Sequence, residues 1–169
     1  MSSPVSRATF QLDFSLISFL IIDDQPFSRH LIRSMLGGFG SREVYESANG
    51  AEALELARTV MPNIIITDLV MPIFNGLGLI KMVKEPQSPT HNIPIIVLSG
   101  YLTKAAALTM KNSGAEEILV KPVSPKALYE HIARIVLCNE HAGQPLAFLQ
   151  NQKRRAEQKR KKAGDLAYI

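Results

Sequence analysis

Short runs of apolar residues that lack polar alternation are the feature that most restricts how this chain can fold. Four such runs, each rich in Ile, Val or Leu, occupy residues 19–23, 63–68, 93–99 and 116–121. Unbroken apolar strands are typical of a parallel sheet that is covered on both faces. A weaker run at residues 42–47 predicts an edge strand.

Helical patterns separate these strands. Apolar residues recur at helical spacing in residues 27–36, 50–60, 76–84, 103–114 and 124–137. Ser124 followed by Pro125 is typical of a helix start. Five strands that alternate with five helices predict an α/β fold, a doubly wound five-stranded parallel sheet with helices on both faces.

The chain is predicted to have three parts: an N-terminal arm (1–16), a folded body (17–138) and a basic C-terminal tail (139–169). With 169 residues, of which 46% are hydrophobic, it can bury a sizeable core. The formal net charge of +4 arises in the tail, because residues 151–162 hold seven Lys or Arg and one Glu. The arm alternates apolar and polar residues, and it either extends the first strand or packs against the body.

Several classes of protein are disfavoured by composition. The single cysteine, Cys138, excludes an internal disulfide and a multi-cysteine metal site. No apolar run approaches the ~20 residues of a membrane span, and residues 1–22 lack the charge and apolar pattern of a signal peptide. We therefore expect a cytoplasmic protein.

Polar residues end four of the predicted strands. Asp23 and Asp24 follow the first apolar run, Asp68 ends the third strand along the chain, Ser99 the fourth and Lys121 the fifth. Ligands of open parallel sheets bind at the carboxyl ends of the strands. Carboxylates that converge on one point repel each other unless a cation is bound, and an all-oxygen site suits Mg²⁺.

A Lys and a Ser beside a carboxylate–Mg²⁺ site indicate transfer of a phosphoryl group. Lys121 and the metal would neutralise its oxygens, and Ser99 would donate a hydrogen bond to it. A carboxylate can be the nucleophile and form an acyl phosphate. Asp68 is the best candidate, because it ends a central strand and the turn that follows leaves its oxygens accessible.

Four motifs now identify a resemblance. The segments DD (23–24), TDLVMPIFNG (67–76), IIVLSG (95–100) and LVKP (119–122) resemble, in order and in spacing, the receiver domain of bacterial response regulators. The resemblance covers residues 17–138 and is closest to single-domain, chemotaxis-type receivers with a short basic tail. It implies a flavodoxin-like strand order, 2-1-3-4-5.

The resemblance also implies roles at the acidic site. Asp68 would accept a phosphoryl group from a histidine kinase or a histidine phosphotransfer protein. Asp24 and Asp68 would ligate Mg²⁺ directly, together with the backbone carbonyl of Val70, and Asp23 would act mainly through water.

On the same resemblance, Lys121 would pair with the phosphoryl group and Ser99 would move to hydrogen-bond it. A cis peptide bond between Lys121 and Pro122 would aim the lysine inward. The output surface would be formed by the fourth helix, the fifth strand and the fifth helix, residues 103–137.

The chain departs from the family pattern at one position. Receivers usually have Tyr, Phe or His three residues before the lysine, and here that residue is Ile118. Switching would then depend on Ser99 and the following loop alone, or involve Tyr101. Val70 offers no polar side chain to position a hydrolytic water, so we expect slow self-dephosphorylation.

The basic tail has several interpretations. It is a solvated extension, disordered or helical, or it binds nucleic acid, an acidic protein surface or an anionic membrane. It is too short for a helix-turn-helix domain, so the chain is predicted to have no DNA-binding domain of its own. The candidate contact residues are Lys153, Arg154, Arg155, Lys159, Arg160, Lys161 and Lys162.

The sequence therefore predicts a stand-alone response regulator of a two-component phosphorelay. Its own chemistry would be autocatalytic phosphotransfer and self-dephosphorylation, so it would not be an enzyme acting on other substrates. One alternative is a receiver-like binding module that works without phosphorylation, which Ile118 favours. The other is a phosphatase with an aspartyl-phosphate intermediate, which the DDQP exit of the first strand disfavours.

Overall fold

The computed structural model describes residues 12–73 and 75–141. Within them, five parallel strands form one sheet in the order β2-β1-β3-β4-β5. The strands are β1 (Ser18–Ile22), β2 (Glu43–Ser47), β3 (Ile64–Asp68), β4 (Ile95–Ser99) and β5 (Glu117–Val120). The predicted fold class and strand order are confirmed, and the weak run at 42–47 does form an edge strand.

Five helices connect and follow the strands: α1 (Pro26–Gly38), α2 (Gly50–Val60), α3 (Gly76–Val83), α4 (Lys104–Asn112) and α5 (Pro125–His141). Polar side chains cap the N-termini of three of them: Asn49, Asn75 and Thr103 each accept a hydrogen bond from a first-turn backbone N–H. Ser124 does the same for α5, where its Oγ accepts from the Ala127 N–H at 3.2 Å.

Several predicted element boundaries differ from the observed ones, mostly by one or two residues. Strand β4 begins at Ile95 rather than at residue 93, because Pro94 has no N–H to donate to the sheet and Ile93 closes a turn on the Thr90 carbonyl. Helix α5 continues to His141, past the predicted end at 137 and into the segment predicted as the C-terminal tail from residue 139.

The core has two layers, one on each face of the sheet. Alternate residues of β1 belong to different layers: Phe19 and Ile21 pack with α1 and α5, and Leu20 and Ile22 pack with α2, α3 and α4. Burial on both faces explains why the strands lack polar alternation. The helices thereby fix the carboxyl ends of β1, β3, β4 and β5 along one edge.

The described part of the N-terminal arm packs against the body and does not extend β1. Residues Phe14–Leu16 form a 3₁₀ helix that is capped at its N-terminus by Asp13. The Phe14 ring is buried and lies 5.1 Å from the Phe39 ring and 5.4 Å from the Tyr129 ring. This aromatic cluster attaches the arm to α1 and α5.

The remaining ends of the chain, residues 1–11 and 142–169, lie outside the described residues. The basic tail candidates between residues 153 and 162 are among them, so the interpretations of the tail stay predictions, as does the division into arm, body and tail. Among the residues that the structure describes, no helix is both long and apolar enough to cross a membrane.

Candidate metal and phosphoryl site

The strand register brings the predicted site residues to one edge of the sheet. Asp68 is the last residue of β3, and Ser99 is the last residue of β4. Asp23 and Asp24 follow β1, the neighbour of β3, and Lys121 follows β5, the neighbour of β4. The side chains therefore meet because parallel neighbouring strands end at the same edge.

The three aspartates form a compact acidic cluster. One carboxylate oxygen of each of Asp23, Asp24 and Asp68 lies within 4.8 Å of the other two. Asp23 is 1% exposed and Asp68 is 7% exposed, whereas Asp24 is partly exposed. Three like charges at a largely buried point repel strongly, and oxygen ligands at this spacing fit a hard divalent cation such as Mg²⁺.

Lys121 supplies a positive charge from within the chain. Its Nζ lies 2.9 Å from Asp68 Oδ1 and 3.2 Å from Asp23 Oδ2. Burial lowers the pKa of Lys121, but the hydrogen bond to Asp68 and the charges of Asp23 and Asp68 outweigh it, so the pKa lies above its usual value. The ammonium therefore stays protonated. The peptide bond between Lys121 and Pro122 is cis.

Asp23 accepts hydrogen bonds on both oxygens, from donors that sequence analysis did not assign to the site. The Gln25 N–H donates to Oδ1 at 2.8 Å, and the Ser28 hydroxyl donates to Oδ2 at 2.5 Å. Arg29 also donates to the Asp23 backbone carbonyl at 2.7 Å. In the sequence, the role of Ser28 is indicated only by its position, because it places a hydroxyl in the first turn of the helix that follows the acidic pair.

The Ser99 hydroxyl is bonded away from the acidic cluster. Ser99 is 2% exposed, and its Oγ donates to the Tyr101 carbonyl at 2.7 Å. The Tyr101 side chain is 81% exposed, and Ile118 is partly buried against the layer that α2, α3 and α4 form. Neither residue therefore places an aromatic ring inside the protein: Tyr101 has a ring but is exposed, and Ile118 is partly buried but has no ring.

The start of α3 packs closely against the backbone of Asp68 and Leu69 at the end of β3. The Gly76 N–H donates to the Leu69 carbonyl at 2.9 Å. A Cβ on Gly76 would lie 2.4 Å from the Asp68 carbonyl oxygen, so only glycine allows this approach. Val70 is 76% exposed, and Ile73 is fully exposed with a left-handed backbone, φ 68°.

A five-stranded sheet in this order, with an acidic cluster and a lysine at the carboxyl edge, defines a class of signalling domain. The chain belongs to the response regulator receiver domain family, whose model matches residues 19–133. Receiver domains are phosphorylation-dependent signalling modules of two-component systems rather than enzymes with substrates of their own.

Relatives of the chemotaxis type resemble the chain over almost their whole length. This chain is 33% identical to the chemotaxis protein CheY1 of Helicobacter pylori over 125 residues, which are 73% of this chain and 100% of that protein. It is 31% identical to CheY of Thermotoga maritima, over 69% of this chain and 94% of the relative. The crystal structure of Vibrio cholerae CheY4 superposes with a TM-score of 0.66 at 31% identity, covering 70% of this chain and 97% of that one.

Proposed function

We propose that this chain is a stand-alone response regulator in which Asp68 is the phosphoacceptor. The observation that carries the proposal is a cluster of three carboxylates, two of which contact Lys121, whose ammonium lies 2.9 Å from Asp68 Oδ1. The donor would be a histidine kinase or a histidine phosphotransfer protein. The chemotaxis-type relatives, which the chain matches over almost their whole length, support this class of response regulator.

The acidic cluster would bind Mg²⁺, which when bound neutralises negative charge on the phosphoryl oxygens. Asp24 and Asp68 would be direct ligands, together with the backbone carbonyl of Val70. Asp23 would act through water, because both of its oxygens already accept hydrogen bonds from the protein and one also contacts Lys121.

In the transfer itself, a carboxylate oxygen of Asp68 attacks the phosphorus of a phosphoimidazole. A P–O bond forms, the P–N bond breaks, and the imidazole leaves and takes up a proton from water. Lys121 already lies beside the acceptor and stays charged, so it stabilises negative charge on the transferring group without prior movement.

Switching would begin at Ser99. Its hydroxyl would leave the Tyr101 carbonyl and donate to a phosphoryl oxygen on Asp68, which would move the loop before α4. The α4-β5-α5 face (residues 103–137) would report this change, since it exposes Leu108 and Val120 at 62% and 47%. The partly buried Ile118 cannot provide the ring movement typical of the family, which favours a switch through the loop.

A phosphorylation-independent binding module is the second candidate function. Ile118 is the observation that favours it, because the usual aromatic partner of the switch serine is missing. The intact acidic cluster and the charged Lys121 favour the first candidate, a response regulator that is phosphorylated on Asp68. Binding of a partner by the basic tail and a cytoplasmic location stay predictions from the sequence.

The decisive experiment is phosphorylation by a small donor such as acetyl phosphate, measured by intact mass. We expect one phosphoryl adduct that requires Mg²⁺ and disappears in Asp68→Asn. Asp13→Asn, which changes an exposed aspartate outside the cluster, is the matched control and should retain the adduct. A folded wild-type protein that forms no adduct with any divalent cation would overturn the proposal in favour of the phosphorylation-independent module.

A further inference from the structure

One carboxylate oxygen of Asp23 is shared between two donors of different kinds. Asp23 Oδ2 accepts the Ser28 hydroxyl at 2.5 Å and the Lys121 ammonium at 3.2 Å. The same ammonium lies closer to Asp68, at 2.9 Å from Oδ1. The Lys121 ammonium therefore lies nearer to Asp68, the proposed phosphoacceptor, than to Asp23.

We propose that Ser28 is a positioning residue for recognition of the phosphoryl group, an inference that rests on the proposed function. The Ser28 hydroxyl satisfies Asp23 Oδ2 at short distance, which leaves the oxygen a weaker competitor for the ammonium. Without the hydroxyl, Lys121 would become the principal donor to Oδ2. The ammonium would then move towards Asp23 and away from the oxygens of a group on Asp68.

The start of helix α1 makes this arrangement rigid. The Gln25 N–H donates to the other oxygen of Asp23, and Arg29 donates to its backbone carbonyl. Ser28 is the third residue of α1, and its side chain points back towards the end of β1. The carboxylate is thus fixed at both oxygens by one helical turn, which leaves it little freedom to follow the lysine.

Ser28 could also serve only to stabilise the start of the helix, and the test must separate the two roles. Beryllofluoride with Mg²⁺ mimics a phosphoryl group on a carboxylate, and amide NMR titration measures its affinity. Mg²⁺ affinity is measured separately by calorimetry, and the melting temperature reports folding. The variants are Ser28→Ala, Ser28→Thr, which keeps the hydroxyl, and Ser34→Ala, which removes an exposed hydroxyl from the same helix.

We expect Ser28→Ala to weaken beryllofluoride binding by about tenfold, a loss typical of one displaced bond to a charged group, while the affinity for Mg²⁺ changes by less than about twofold. Ser28→Thr should restore most of the affinity, and Ser34→Ala should match the wild type. Restoration by threonine identifies the hydroxyl, rather than the packing of the helix, as the cause.

Two results would overturn the assignment of Ser28 while leaving the phosphoacceptor intact. One is Ser28→Ala that binds beryllofluoride as tightly as the wild type. The other is a parallel loss of Mg²⁺ affinity, beryllofluoride affinity and melting temperature, which would identify a structural role. A wild-type protein that binds no beryllofluoride in the presence of Mg²⁺ would instead refute the proposed function, and this inference with it.

Discussion

Removing one charge from the acidic cluster should stabilise the protein and abolish its response to Mg²⁺. Asp24→Asn is the informative change, because Asp24 is partly exposed and its carboxylate accepts no hydrogen bond from the other residues in 12–73 and 75–141. Its oxygen lies within 4.8 Å of oxygens of both Asp23 and Asp68. At that separation each like-charge pair is unfavourable by ~0.9 kcal/mol even at the dielectric constant of water.

The net effect is smaller than the sum of the two repulsions. They total about 2 kcal/mol, and removal of a negative charge near the start of α1 forfeits about 0.5 kcal/mol of interaction with the helix dipole. Attraction to Lys121 is also reduced. We therefore expect the free energy of unfolding of Asp24→Asn to exceed that of the wild type by about 1 kcal/mol in the absence of divalent cations.

Urea unfolding with EDTA and with Mg²⁺ measures both parts of this prediction. At ten times its dissociation constant, a ligand that binds only the native state adds ~1.4 kcal/mol. The wild type should gain this amount and the variant almost none, so the order of stabilities should approach equality or reverse on addition of the metal. Glu55→Gln, an exposed charge change on α2, should leave both values unchanged.

The reasoning would be refuted by an Asp24→Asn variant that is less stable than the wild type in EDTA. Such a result would mean that Asp24 contributes a favourable contact larger than the repulsion it experiences. A variant that is stabilised by Mg²⁺ as much as the wild type would refute the assignment of Asp24 as a direct ligand.

Other perturbations test single features of the site. Because the pKa of Lys121 is raised in the folded state above its usual 10.5, its stabilising contribution is complete below pH 10.5 and is lost as the pH rises through the folded pKa. The difference in unfolding free energy between wild type and Lys121→Met should therefore be constant well below pH 10.5 and shrink as the pH rises above it, and a difference that does not change there would contradict the reasoning. Gly76→Ala should destabilise by about 2 kcal/mol or more through a clash with backbone, whereas Gly37→Ala, at an open helical position, should stabilise by up to ~1 kcal/mol in the same urea assay. Ile73→Asn should raise the free energy of unfolding by about 1 kcal/mol by relieving a left-handed β-branched residue, and no gain would argue against strain there. Val70→Asn should shorten the lifetime of the acyl phosphate several-fold in a mass-spectrometric decay assay, by supplying a polar group to hold the attacking water; an unchanged lifetime would exclude that role.

The sequence pattern was sufficient for the fold class and for the residues that meet at the edge of the sheet, for a definite physical reason, whereas the strand order followed from the family resemblance. A parallel sheet covered on both faces requires unbroken apolar strands, and the residue that ends each strand then lies at a known edge. The strand pattern alone therefore places Asp68, Ser99 and Lys121 at this edge. The acidic pair followed from its position after the first strand.

Other features depend on three-dimensional detail that strand patterns do not contain. The bond from Ser28 to Asp23 requires the rotational phase of α1. The direction of the Ser99 hydroxyl depends on the backbone two residues later, and the burial of Phe14 depends on the distant Phe39 and Tyr129. Each is a contact between segments whose relative placement no local periodicity encodes.

The hydrogen bond from Ser99 to the Tyr101 carbonyl gives the resting protein an energetic bias as well as a shape. A bond of about 1 kcal/mol corresponds to a roughly fivefold preference for the conformation that contains it. Under the proposed switch, a phosphoryl group on Asp68 would have to exceed that preference before the loop ahead of α4 is populated in an alternative position. If the proposed switch operates, the strength of this one bond would help to determine how much of the protein is active before any signal arrives, and how completely phosphorylation converts the rest.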